Sequence, residues 1–280
     1  MRSIKTGGLK PVQRSRLRIM LGSCYYRYKR YLSWYFGKTK FATSFADSRL
    51  PHLVFRHRTP LLRKLQNVDM WMQYNKIINL KIAAKRLNGL IVHPGETFSY
   101  WRLIGKPTRR KGYVEGMTLF YGKVVPGIGG GLCQLSNLVY WMTLHTPLTV
   151  TERYRHTYDV FPDTNRSQPF GSGATCAYNY LDLQVYNGTN QPYQLLINVT
   201  DAELVGEWRT TVKPDRRYEV YEKEHWITHE CWGGYVRHNK IYRRIYNEEK
   251  ELLKDEYITE NHAIMMYQPF LSEGKLFEEV

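Results

Sequence analysis

The sequence predicts an α+β fold, with helices from the N-terminal half packed on a mainly antiparallel sheet from the C-terminal half. Two observations lead to this prediction. Up to about residue 146, apolar residues recur at the three- and four-residue spacing of buried helices. Beyond Pro147 they alternate with polar residues, as in strands that bury one face. The 280 residues are 42% hydrophobic, which is ample for a packed core and argues against global disorder.

Three regions are expected: a basic arm with a connecting region at residues 1–64, a core domain at 65–200, and a β-rich extension with an acidic tail at 201–280. The net charge is +16, and residues 1–40 hold eleven lysines and arginines but no acidic residue. This tyrosine-containing arm is able to bind an anionic membrane or wall polymer. The alternative is a solvated, loosely ordered terminus. Nucleic acid is not an expected partner, because no nucleic-acid-binding motif is present.

The first helix is predicted from about Val68 to Asn88. Its apolar positions recur every three or four residues, at Met70, Tyr74, Ile77, Leu80, Ala84 and Leu87. Gly89 closes this helix, since glycine commonly follows a helix end. A short strand, Leu90–Val92, follows and leads into a turn at Pro94-Gly95.

The stretch from Gly127 to Gly131 holds four glycines in five positions, and Cys133 follows two residues later. Glycine permits positive φ angles and close backbone approach, so this stretch predicts a tight turn. A buried helix of about three turns is predicted to begin at Cys133. Its apolar spacing is carried by Leu135, Leu138, Val139 and Met142.

The second half of the chain is predicted to be mostly strand. Residues 149–160 alternate between two faces and predict one extended segment. Asn187-Gly188 predicts a hairpin turn between strands at 181–185 and 193–199. From Val205 to Tyr246 the pattern stays strand-like.

No signal peptide or transmembrane segment is recognised, so the protein is expected in the cytoplasm or peripherally at the membrane. The longest uncharged stretch, Val124–Thr151, spans 28 residues but contains four glycines, which a lipid-facing helix would not favour. The four cysteines lie far apart without CxxC spacing, so reduced thiols are expected rather than a disulfide framework.

Cys133 is the candidate nucleophile, because a helix N-terminus favours thiolate over thiol. The helix lowers a thiol pKa by about one unit, so a useful nucleophile also needs a histidine. His156, 23 residues downstream, is the best candidate partner, while His93 and His145 are weaker. Asp182 is the candidate third member that orients His156. The alternatives are an inert buried cysteine, a hydrogen-bonded core histidine and a solvated aspartate.

An oxyanion-binding or substrate-binding set is predicted around the cysteine: Gly130, Gly131, Gln134, Ser136 and Arg153. Backbone N–H groups at the helix start and the Gln134 amide suit a developing oxyanion. The Arg153 guanidinium suits a substrate carboxylate. A helix-capping role for Gln134 and a surface salt bridge for Arg153 are the alternatives.

No metal ion and no cofactor are expected. His225, His229 and Cys231 share one face of a predicted strand, but residues four apart in a strand lie about 13 Å from each other. That separation is too large for one ion. The glycine cluster also lacks both a following Gly-Lys-Ser/Thr and the GxGxxG order of nucleotide-binding loops.

Four motifs resemble the VanW domain family over roughly residues 90–187. They are Pro94-Gly95-Glu96-Thr97-Phe98-Ser99, Gly129-Gly130-Gly131-Leu132-Cys133-Gln134-Leu135-Ser136, Glu152-Arg153-x-x-His156, and Asp182-Leu183 with Asn187. The resemblance implies a role in glycopeptide (vancomycin) resistance and cell-wall peptidoglycan metabolism. It also implies L,D-transpeptidase activity through a thioacyl intermediate, with Cys133 as nucleophile, His156 as general base and a peptidoglycan stem peptide or precursor as partner.

The alternative function is that of a non-catalytic accessory or binding protein. Such a protein would be held at an anionic membrane or wall surface by the basic arm of residues 1–40. The cysteine would then be a packing residue.

Overall fold

A computed structural model describes residues 11–12, 14–63, 68–162 and 168–269. It confirms the α+β prediction. The described part of the chain has four α-helices: α1 (Arg16–Phe36), α2 (Met70–Leu87), α3 (Tyr100–Ile104) and α4 (Cys133–Leu144), with a 3-10 turn at Arg109–Lys111. Within these residues, no helix combines the length and the apolar character needed to span a membrane.

The strands of the described residues form four sheets, and their bounds are as follows. They are β1 (Ser44–Phe45), β2 (His52–Pro60), β3 (Leu90–Val92), β4 (Thr97–Ser99), β5 (Glu115–Phe120), β6 (Lys123–Ile128), β7 (Thr149–Glu152), β8 (Tyr158–Asp159), β9 (Gln184–Tyr186), β10 (Tyr193–Val199), β11 (Glu203–Thr210), β12 (Arg217–His229), β13 (Tyr235–Tyr246) and β14 (Leu252–Met265).

The central sheet has the order β1-β3-β10-β11-β2 and is antiparallel. The other sheets have the orders β12-β13-β14-β8, β4-β9-β7 and β5-β6. Among these pairings, only β14 with β8 is parallel. Strand pairs remote in sequence therefore hold the N-terminal and C-terminal halves together.

Helix α4 packs closely on the central sheet. A Cβ atom added at Gly206 of β11 would lie 2.5 Å from Met142 Cε of the helix, so the glycine allows the two elements to approach. The indole N–H of the fully buried Trp208, also on β11, donates to Thr143 Oγ1 at 3.2 Å. The sheet thus fixes the direction of α4 and, with it, the position of Cys133.

Several local predictions are confirmed. Helix α2, strand β3 and helix α4 lie where the sequence places them, and β10 runs over the predicted 193–199. Gly89 follows the end of α2 with a φ of +85°, and its N–H donates to Leu195 O. These segments carry their own periodicity, and the sheet buries the face that the periodicity marks.

Two strand predictions are wrong. The segment 149–160 is not one strand, because residues 153–156 separate β7 from β8. The turn at Asn187-Gly188 does not join a hairpin, since β9 pairs with β4 and β7 while β10 pairs with β3 and β11. The Asn187 amide donates to Val92 O and Gln191 O, which holds the chain where it passes from one sheet to the other.

The basic arm contains an element that the sequence analysis did not predict, the 21-residue helix α1. The central sheet also crosses both expected domain boundaries, because β2 precedes residue 64 and β11 follows residue 200. The division into three regions itself stays a prediction.

Candidate functional site

The predicted tight turn brings Cys133 to the first position of α4. Gly131 has a φ of +89°, and a Cβ atom there would lie 2.1 Å from Lys76 Cγ. A Cβ atom at Gly130 would lie 2.1 Å from the carbonyl carbon of Gly116. Both glycines are therefore needed where the turn passes α2 and β5.

The backbone N–H groups of this turn have protein acceptors. Gly130 N donates to Gly127 O at 3.0 Å, and Gly131 N donates to Met117 O at 2.8 Å. The fully buried Asn79 amide donates to Gly130 O at 2.9 Å. Because both N–H groups already have acceptors within the protein, neither is available to bind a substrate oxyanion in this conformation.

Burial raises the pKa of the partly buried Cys133 thiol above its usual value, while hydrogen bonds with the backbone of Cys176 and of Cys133 itself act in the opposite direction. The Cys133 sulfur lies 3.9 Å from the carbonyl oxygen of Cys176. The start of α4 lowers a thiol pKa by only about one unit. Cys133 is consequently a neutral thiol at neutral pH.

Cys176 is a neighbour of Cys133 to which the sequence analysis gave no role. Burial and the adjacent Cys133 raise its pKa well above the usual value, and hydrogen bonding with the Ser136 hydroxyl opposes them. The buried Tyr100 hydroxyl, which donates to Leu132 O at 2.9 Å, also has its pKa raised by burial and by the two thiols. Cys133, Cys176, Ser136 and Tyr100 form one group, here called the thiol cluster.

His156 lies between β7 and β8, not within a strand. Burial, together with the positive charge of Arg153, lowers its pKa to about 4, so the imidazole is neutral at pH 7. Within the described residues, no hydrogen bond joins His156 to Cys133. Their roles as nucleophile and base stay predictions.

Asp182 is fully buried and its carboxylate has partners other than His156. It accepts hydrogen bonds from Ser99 Oγ at 2.6 Å and from Trp101 N at 3.0 Å. Burial raises its pKa, and these hydrogen bonds act against that rise. Asp182 thus holds the junction of β4 and α3 in this conformation.

The other predicted binding residues are also engaged within the protein. The Gln134 amide donates to Thr59 Oγ1 and Pro60 O, both at 2.9 Å. The buried Ser136 hydroxyl lies 2.7 Å from Ala174 O. Arg153 donates to Gly171 O, Gly173 O and Asn261 Oδ1, and its guanidinium lies over the Tyr140 ring.

Similarity to known proteins identifies the family to which this chain belongs. The family described as VanW like protein matches residues 75–209, which include Cys133, His156 and Asp182. The Vancomycin B-type resistance protein VanW of Enterococcus faecalis is 36% identical over 203 residues, which cover 72% of this chain and 74% of that protein. The chain belongs to the VanW family.

A second relative of this chain is the Uncharacterized protein YoaR of Bacillus subtilis. It is 33% identical over 117 residues, which cover 41% of this chain and 36% of that protein. No solved structure matches the chain.

The VanW turn has a further neighbour that the sequence analysis missed, the buried Lys76 of α2. Its stem packs on Gly131, and its ammonium donates to Gln73 Oε1 at 2.7 Å. Burial, and then the charge of Arg63, lowers its pKa to about 8. In the sequence a lysine on a helix is normally read as solvent-exposed, so only its i, i+3 spacing to Gln73 hinted at this contact.

One cavity of the protein is remote from the thiol. It has a volume of about 620 Å³ and lies at the C-terminal end of α4, lined by His145, Phe55 and Tyr218 among others. Cys133 stands at the opposite end of the helix. Among the described residues, no group of three His, Cys, Asp or Glu side chains is arranged to hold a metal ion.

Proposed function

We propose that this protein acts in vancomycin resistance through cell-wall peptidoglycan, as a cysteine-dependent acyl transferase of the L,D-transpeptidase type. The observation that carries the proposal is the position of Cys133, partly exposed at the head of α4 within the VanW match. Its relative in Enterococcus faecalis is named for vancomycin B-type resistance. The substrate is a peptidoglycan stem peptide.

The transfer takes place in two steps. The Cys133 thiolate attacks a carbonyl carbon of one stem peptide, a C–S bond forms, the C–N bond breaks, and the amine leaves with a proton. The amine of a second stem peptide then attacks the thioester, so that a C–N bond forms and the C–S bond breaks. The amine gives up its proton and the thiolate is regenerated.

His156 is the proposed proton acceptor. The pKa values of the Cys133 thiol and the His156 imidazole show in which direction substrate binding has to shift the proton equilibrium between them. Burial raises the pKa of the thiol above its usual value and, with the charge of Arg153, lowers that of His156 to about 4. Both shifts oppose proton transfer from the thiol to the imidazole in the ligand-free protein. Catalysis therefore requires the substrate to bring base and thiol together, as catalytic hydrogen bonds often tighten only in the complex.

A second candidate function is a non-catalytic accessory role in the same process. The raised pKa of Cys133 and the absence, within the described residues, of a hydrogen bond from it to His156 favour this candidate. The thiol cluster would then be part of the core.

One experiment separates the two functions. The purified protein is incubated with disaccharide-tetrapeptides from peptidoglycan, and mass spectrometry follows cross-linked dimers and an acyl adduct on Cys133. The wild type is expected to form both, whereas Cys133→Ser and Cys133→Ala form neither. Cys24→Ser, at an exposed thiol, is the matched control and keeps the activity.

Urea unfolding shows whether each variant is folded. If the protein is a transferase, the wild type should raise the inhibitory concentration of vancomycin in a vancomycin-susceptible host, and Cys133→Ser should not. Two results together would contradict the transferase: a folded Cys133→Ser protein that gives the wild-type level of resistance, and no acyl adduct on the wild type. The accessory role would then be the better explanation.

A further inference from the structure

Helix α1 presents an apolar stripe to solvent. Six of its exposed apolar residues are spaced by four, four, three, four and three positions, so they lie on one helix face. They are Leu17, Leu21, Tyr25, Tyr28, Leu32 and Tyr35, each between 58% and 69% exposed. A surface helix of a soluble protein normally turns its charged face outward.

The opposite face of α1 is docked on the core. Trp34 is only 8% exposed, and the Arg30 guanidinium forms an ion pair with Glu152. The hydroxyl groups of Tyr31 and Tyr178 are hydrogen-bonded at 2.9 Å. The apolar stripe is therefore presented outward by a helix whose orientation is held by the core.

Basic side chains border the stripe on one side. At about 100° per residue, Arg18 and Lys29 lie along this flank, whereas Arg27 falls on the docked side with Trp34. Long basic side chains at such positions extend their charges toward headgroups while their stems stay in apolar surroundings. An apolar face bordered by basic residues is typical of a helix that lies in a membrane interface.

We propose that α1 is a membrane-surface helix that lies in the plane of an anionic lipid bilayer. The stripe enters the boundary between headgroups and acyl chains, and Arg18 and Lys29 contact the headgroup phosphates. This surface goes beyond the proposed acyl transfer and does not depend on it.

Charge decides between the possible occupants of the stripe. Residues 1–40 carry eleven basic residues and no acidic one, so a second copy packed on the stripe would bring like charges together. An anionic wall polymer would neutralise the basic residues but leave the apolar stripe in water. Of these three occupants, an anionic bilayer is the one that satisfies both features.

The test is flotation of the full chain with phosphatidylcholine vesicles, with and without phosphatidylglycerol. Wild type is expected to float only with phosphatidylglycerol. A charge variant (Arg18→Gln, Lys29→Gln) should lose about 30-fold in the partition coefficient. A stripe variant (Leu17→Ser, Leu21→Ser, Leu32→Ser) should lose at least about tenfold.

Matched controls lie elsewhere on the surface. A basic pair (Arg110→Gln, Lys111→Gln) and the exposed apolar pair of β14 (Leu252→Ser, Leu253→Ser) should bind like wild type. Circular dichroism and urea unfolding check that all variants fold, as expected for substitutions on the face away from the core.

Cys24 lies on the same face of α1 as the stripe and is exposed, as is the distant Cys231. A nitroxide on Cys24, in a Cys231→Ser background, should enter the oxygen-accessible acyl region when anionic vesicles are added. A nitroxide on Cys231, in a Cys24→Ser background, should stay in water.

Three results would overturn the proposal. The first is no binding to anionic vesicles, and the second is equal binding to neutral ones. The third is a wild-type dimer in sedimentation that the stripe variant converts to monomer, which would assign the stripe to a second copy.

Discussion

His145 ends α4 and His156 follows β7, and both imidazoles are largely removed from water. Burial lowers the pKa of each to about 4. At His145 a hydrogen bond to Tyr218 O opposes the shift, and at His156 the charge of Arg153 adds to it. Because an unfolded histidine titrates near 6.5, these two side chains bind protons more tightly in the unfolded chain than in the folded one.

We expect the free energy of unfolding to fall as the pH is lowered from about 6.5 toward about 4. For each histidine the shift of 6.5 − 4, about 2.5 units, corresponds to roughly 3 kcal/mol when fully expressed. In urea unfolding above pH 7 and near pH 5, His145→Gln or His156→Gln should each remove part of the pH-dependent loss. The remainder comes from the other histidines with a lowered pKa, His57, His238 and His262.

The exposed His93 provides the control for the histidine-to-glutamine substitution itself, as the variant His93→Gln. A wild-type protein equally stable at both pH values would show that the two imidazoles are not held neutral by the fold.

At the scale of elements, the glycine turn before α4 is the feature on which the site depends. Gly131 combines a left-handed backbone with close contact to Lys76 of α2, whereas Gly95 has a φ of +79° and nothing within 4 Å of an added Cβ atom. The pair therefore separates the cost of backbone strain from the cost of packing.

Gly95→Ala is expected to cost about 1–2 kcal/mol of unfolding free energy, the strain of a left-handed alanine. Gly131→Ala adds overlap with the buried Lys76 stem and should cost at least about 3 kcal/mol. Urea unfolding of both variants measures the difference. Equal losses would mean that the turn moves away from α2 without a penalty.

At the scale of the whole molecule, Arg153 joins parts of the chain that are distant in sequence. Its guanidinium lies 4.8 Å from the Tyr140 ring centre on α4, and it donates to Gly173 O and to Asn261 Oδ1 on β14. The sequence analysis predicted a substrate contact or a surface salt bridge for this residue. In the structure it is a link between α4 and the C-terminal sheet.

Arg153→Ala is expected to lower the free energy of unfolding by roughly 2–3 kcal/mol, because several acceptors lose their donor. Arg155→Ala, two residues away, removes one hydrogen bond to Glu260 O and should cost about 1 kcal/mol. Urea unfolding compares the two. If Arg153→Ala is as stable as the wild type but binds the stem peptide more weakly, the residue contacts substrate, as the sequence predicted.

The sequence by itself determined the local elements and the family. Helix α2, strand β3 and helix α4 follow from apolar spacing within each segment, and the turn before Cys133 follows from its glycines. The motifs around Cys133, His156 and Asp182 led to the VanW family. These features are readable because the residues that define them are neighbours in the chain.

The tertiary structure alone decided which groups meet and in which protonation state. Cys133 lies against Cys176, 43 residues away, and Asp182 accepts from Ser99, 83 residues away. Strands β9 and β10 join different sheets although a turn sequence connects them. Spacing along the chain cannot predict such contacts or the burial that shifts the pKa of Cys133 and His156, because both depend on residues brought together only by folding.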